Sequence, residues 1–139
     1  MAQWAAATGG FLFFILGLLH LRLTVRDMKE PQHFIPAKKE LLDELKQTRI
    51  NLRKDVKNFW LSYLGFHFSH SIGLMFYGAV VIYAVLARPD ILSDVYVRMA
   101  IVIVGASYVL LARAFWFIIP LIGAAIGVTL IAAGIGMQF

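Results

Sequence analysis

The sequence predicts an all-α fold: a four-helix transmembrane bundle with a cytoplasmic amphipathic helix between the first and second spans. Three observations predict it. Hydrophobic residues make up 60% of the 139 positions and charged residues only 15%, more apolar surface than a soluble domain of this size can bury. Four segments reach or approach the ~20 apolar residues that a helix rising 1.5 Å per residue needs to cross a bilayer. Charge is also gathered in one place, with ten of the thirteen Lys and Arg between Arg22 and Lys57, interleaved with six acids.

That last pattern bears on the net charge of +5. A basic segment with interleaved acids beside apolar spans suits a loop near anionic headgroups rather than a nucleic-acid groove. No nucleic-acid partner is expected. The chain has no cysteine, which excludes disulfides, Cys-ligated zinc and iron–sulfur clusters.

The first span is expected at about 4–23. Trp4 to Leu23 has no basic segment before it and no small-x-small cleavage site after it, so it reads as a retained transmembrane helix. The charged loop follows at 24–57. Pro31 and Pro36 bracket Gln32-His33-Phe34-Ile35 as an irregular piece, with His33 exposed or interfacial. From Ala37 the pattern turns helical, with Leu41, Leu42, Leu45, Leu52 and Val56 at three- and four-residue steps. Lys39 with Asp43, and Asp43 with Lys46, are placed to pair along its surface. Such a helix either lies on the inner leaflet or a partner, or simply continues into the second span.

The second span is expected at about 60–86, with Trp60 and Tyr63 at the interface. Val95 to Phe139 is too long for one crossing. It divides at Arg113 into spans of about 95–112 and 116–137, with Pro120 near the start of the last, where a missing N–H is tolerated. Arg98 is placed to snorkel, and Phe115-Trp116-Phe117 reads as an interfacial anchor. The whole makes one integral membrane domain, 1–139. With the basic loop in the cytoplasm, Arg113 also faces inward and both termini lie outside.

Ionisable groups inside a bilayer are costly, so His67 and His70 are the best functional clue. Tyr63, His67, His70, Leu74 and Tyr77 follow in steps of four, three, four and three, sharing one helical face, with Ser71 four residues from His67. The first span offers Phe13, Gly17, His20 and Thr24 in matching steps. His20 and His67 differ in depth by on the order of 6 Å along their helices, which tilt and side-chain length can close. His20, His67, His70, Tyr63, Tyr77 and Ser71 are thus the candidate cofactor- or ligand-binding residues. Three uses compete. The imidazoles donate across helices to carbonyls and hydroxyls, or hold a lipid, quinone, pigment or haem. Alternatively His20, His67 and His70, with Asp27 or Glu30, bind a metal. No Glu-x-x-His or His-Glu-x-x-His motif accompanies them, and no catalytic residue is assigned.

In the fourth span Gly123, Gly127 and Gly134 share a face, allowing close backbone approach by a partner subunit, a second copy or a helix of the same bundle. Gly105-Ala106-Ser107 is a candidate complement.

Pro31-x-x-Phe34-x-Pro36, a charged helix, Trp60 and then Phe66-His67-Phe68-Ser69-His70-Ser71-Ile72-Gly73-Leu74-Met75 resemble a family of small four-span bacterial membrane proteins. Its members carry a Phe-Asn-x-Ser-His-x-x-Gly-Leu pattern entering the second helix. The resemblance covers about half the chain and implies the four-span topology and a bacterial inner membrane. It draws attention to Ser69, His70 and Gly73. The family has no characterised function, so the resemblance implies no activity. His67 stands where the family pattern has Asn, which suits hydrogen bonding better than strict metal ligation.

The expected role is non-enzymatic. Limited soluble mass, no nucleotide or phosphate motif and abundant small-residue faces point to an accessory or structural subunit of a larger membrane complex. Membrane lipids, other subunits or a second copy are its expected partners, and a lipid or cofactor held at the edge stays open. The alternative is a membrane-embedded redox protein binding metal, haem or quinone through the histidines. A transporter has less support, because no acid lies within any span.

Overall fold

A computed structural model of the chain describes residues 1–29, 31–38, 40–51 and 58–138. Among them the fold is all-α, with helices α1 (Ala2–Lys29), α2 (Leu41–Gln47), α3 (Phe59–Leu86), α4 (Val95–Phe115) and α5 (Ile118–Gly136), and a short 3-10 turn at Pro89–Ser93. Four of these, all except α2, are long and apolar enough to cross a membrane. The chain divides into two compact units, Met1–Gly17 with Gly73–Phe139, and Leu18–Ile72.

Helix boundaries follow backbone chemistry rather than hydropathy. α1 runs past the expected Leu23 to Lys29, because nothing in Thr24-Val25-Arg26-Asp27-Met28-Lys29 breaks a helix and the first proline comes at Pro31. Asp94 caps α4, its carboxylate accepting from the Tyr96 N–H at 2.7 Å. α4 extends to Phe115, and extended backbone at Trp116 and Phe117 breaks it from α5. Pro120 therefore occupies the first turn of α5, where no backbone partner is lost.

The expected helix from Ala37 to Val56 is shorter than its pattern. α2 ends at Gln47, and Thr48 turns extended with ψ 128°. The Thr48 hydroxyl donates to the Glu44 carbonyl at 2.7 Å, and its own carbonyl accepts from the Phe59 N–H at 2.7 Å. Arg49 and Asn58 form an isolated antiparallel bridge, so α2 does not run on into α3. Leu52 and Val56 lie outside the described residues, as does Lys39 of the expected Lys39–Asp43 pair. Asp43 and Lys46 do approach, at 3.8 Å and well exposed, which makes the pair worth a few tenths of a kcal/mol at most.

In the first unit, small residues bring helices together. A Cβ on Gly9 would stand 2.5 Å from the Gly127 carbonyl, and one on Gly134 would stand 2.6 Å from the Ala2 carbonyl. Gly123 and Gly127 lie against Leu16 and Phe13. The glycine face of α5 is thus filled by α1 of the same chain, the ordinary packing use of small residues. Gly10 and Gly78 make a second close approach, between α1 and α3.

The core of this unit centres on Phe13, Leu74, Tyr77, Val81, Ile131 and Ile135. Tyr77 is its polar member. Its ring meets Phe13 edge to face at 4.8 Å, and its hydroxyl donates to the Ile101 carbonyl at 2.8 Å. Gly105 leaves room for that hydroxyl, since a Cβ there would lie 2.6 Å from it. Tyr77→Phe removes the donor from a buried carbonyl, and an unfolding titration in mixed micelles should show a loss of about 1 kcal/mol.

A cluster of histidines as candidate functional site

The second unit, Leu18–Ile72, holds the ionisable groups that the sequence singles out. Its geometry begins with helical periodicity. On α3 the four-then-three spacing puts Tyr63, His67 and His70 on one face, and on α1 His20 and Thr24 lie one turn apart. These faces meet. His20 Nε2 and His67 Nδ1 are 2.9 Å apart, so one ring nitrogen donates a proton and the other accepts it. The rings of His20 and His70 are in edge contact, with centroids 5.6 Å apart. Tyr63 packs on His67 at 4.3 Å, and Phe66 stacks on His70 at 6.2 Å.

The hydroxyls expected to serve the imidazoles turn elsewhere. Ser71 is fully buried and donates to the His67 carbonyl at 2.8 Å, while Thr24 donates to the His20 carbonyl at 3.0 Å. Each closes a bond on its own helix. Ser69 does likewise, to the Phe66 carbonyl. Tyr77 belongs to the first unit, where Ile101 takes its hydroxyl. Of the six candidates, then, His20, His67, His70 and Tyr63 come together; Ser71 braces the backbone beneath His67, and Tyr77 belongs to another core.

In the sequence Asp27 stands out only as a candidate metal ligand, and two contacts beside the cluster were missed there. Asp27 sits in the last turn of α1, where the helix dipole disfavours a negative charge. It is nevertheless only 6% exposed. Its Oδ1 accepts from the Gln32 and His33 backbone N–H groups, each at 3.0 Å, and from His33 Nδ1 at 2.7 Å. The carboxylate therefore catches the chain as it leaves the helix, and His33, exposed as expected, is its partner. Asp27→Ala leaves two backbone donors without this acceptor. It should cost about 2 kcal/mol and expose the 31–38 segment to faster proteolysis.

The second contact is aromatic. Phe34 packs edge-on against Trp60 at 5.2 Å and Tyr63 at 6.0 Å, and Trp60 stacks on Tyr63 at 5.4 Å. Trp60 is only 5% exposed, packed against the loop residue Phe34. The two prolines flanking Phe34 were the available signal, because they fix an extended segment but leave its direction open.

These contacts bear on what the cluster can bind. Two imidazoles on a tetrahedral zinc, each ~2.0–2.1 Å from the ion, would hold their nitrogens about 3.3–3.4 Å apart, farther than a hydrogen bond does. Here the facing nitrogens sit at hydrogen-bonding distance. Among the described residues, no group of three or more His, Asp or Glu side chains is arranged to hold a metal ion. Asp27 is engaged by Gln32 and His33, and Glu30, the other acid considered, lies outside the described residues.

No protein-family model, curated protein or solved structure matches the chain.

Proposed function

We propose that the protein is a small, non-enzymatic integral membrane protein that packs against a larger membrane complex as an accessory subunit. One observation carries this reading: three of the ionisable side chains a cofactor would use, His20, His67 and Asp27, are hydrogen-bonded within the protein. His20 bonds to His67, and Asp27 to Gln32 and His33. The imidazoles act as a clasp between α1 and α3 inside the second unit. Interhelical bonds of this kind hold membrane helices in register where hydrophobic burial offers little drive.

The surface supports the same reading. In the first unit an open groove of about 470 Å³ is lined by Phe11, Phe14, Ala79, Ile82, Tyr83 and Leu86. Such a groove takes the side chains of a neighbouring transmembrane helix. The expected setting is a bacterial inner membrane with the 24–57 loop in the cytoplasm, as the basic residues and the family resemblance imply.

Native mass spectrometry after extraction in a mild detergent tests the proposal. An assembly far heavier than the protomer, accounted for by other polypeptides, is the expected result. A protomer or homo-oligomer carrying stoichiometric metal, haem or quinone would overturn it in favour of a histidine-based redox protein.

A further inference from the structure

The exposed surface of α1 carries a second feature, independent of the accessory role but dependent on α1 spanning the membrane. Leu19, Arg22, Leu23 and Arg26 follow in steps of three, one and three, so they form one stripe along the helix. All four are exposed. Among the described residues no ion pair engages Arg22 or Arg26. The acid beside them, Asp27, is buried and held by three donors from Gln32 and His33. Among the described residues of α1 the one carboxylate is thereby withdrawn from the arginine pair.

Helix length places the pair. α1 has 28 residues, about 42 Å at its ordinary rise, against ~30 Å of hydrocarbon. Its final turns therefore extend into the headgroup layer, with Arg22 near the boundary and Arg26 one turn farther out. Leu19 continues the stripe toward the acyl chains, one turn below Arg22, and Leu23 fills the stripe between the two arginines. A guanidinium pair above an apolar strip matches a ligand with an anionic phosphodiester at one end and hydrocarbon at the other.

We propose that Leu19, Arg22, Leu23 and Arg26 form a binding site for one anionic phospholipid, its phosphate on the arginines and an acyl chain along the leucines. The test is lipid titration read by native mass spectrometry, with phosphatidylglycerol and phosphatidylcholine of matched chains added to the detergent-solubilised full chain. The wild type should retain phosphatidylglycerol preferentially. A basic residue at an anionic surface is worth roughly fivefold in affinity, so Arg22→Gln/Arg26→Gln should lower that preference about 25-fold. Lys46→Gln/Arg49→Gln removes the same charge from exposed positions off the stripe and should leave the preference nearly intact. Arg22→Lys/Arg26→Lys keeps the charge without the bidentate fork and should fall between, which covers the case where the Gln pair fails to fold. Equal loss in the two Gln variants would overturn the site in favour of diffuse charge. So would an unchanged preference in Arg22→Gln/Arg26→Gln, or in Arg22→Lys/Arg26→Lys, or no preference in the wild type.

Discussion

Gly78→Ala should destabilise the protein by about 3 kcal/mol, while Gly65→Ala on the same helix should stabilise it by up to about 1 kcal/mol. The chemical change is identical and only the surroundings differ. A Cβ at Gly78 would collide with the Gly10 carbonyl and lie 2.7 Å from the Phe14 nitrogen. Both are backbone atoms of α1, which cannot move aside as a side-chain tip can. Relief requires the two helices to separate, and a close-packed interior resists that. At Gly65 nothing lies within 4 Å of the added carbon, so only the gain in helix propensity remains. Equilibrium unfolding in mixed micelles, followed by loss of helical circular dichroism, gives both numbers. Equal effects at the two sites would contradict the close approach of α1 and α3 at Gly10 and Gly78.

The second large effect concerns the histidine clasp. His67→Leu should cost about 2 kcal/mol, since it removes the partner of His20 Nε2 and leaves a half-buried imidazole nitrogen without that bond. His20→Leu should cost a similar amount. The double substitution should cost clearly less than the sum, giving a coupling of about 1–2 kcal/mol, near the upper range for interhelical bonds in membranes. Additive losses would mean that the two imidazoles do not bond. Fold and assembly should survive the double change, because Ser71 and Thr24 brace their own helices and owe nothing to the imidazole pair.

The four membrane-spanning helices were legible because length and apolarity alone determine which segments can cross a bilayer. Their ends were less so. α1 continues six residues beyond the expected Leu23 since helix formation does not stop where hydrophobicity stops. α2 stops at Gln47 since Thr48 recruits its own hydroxyl and a bond to Phe59, features invisible to an apolar period.

The histidine face shows the same division. The four-and-three spacing is a property of one helix, so the shared face of Tyr63, His67 and His70 could be read directly. The His20–His67 bond was within reach, because the depth mismatch along the two helices was small enough for side chains and tilt to close. The Asp27–His33 clasp was not, because it depends on how the chain turns after α1. Nor could the sequence decide what Gly123, Gly127 and Gly134 pack against. A small-residue face permits a close approach without naming the approaching helix, and here that helix is α1.

The central claim is that His20 and His67 serve each other rather than a bound metal or cofactor. Nitrogen NMR of the ¹⁵N-histidine-labelled protein in lipid nanodiscs tests it most directly. A hydrogen-bond-mediated coupling between one donor and one acceptor nitrogen, lost in both His20→Leu and His67→Leu, is the result expected from the 2.9 Å contact. Ring nitrogens shifted to metal- or haem-bound positions in the protein as purified, with no coupling between the two rings, would contradict it.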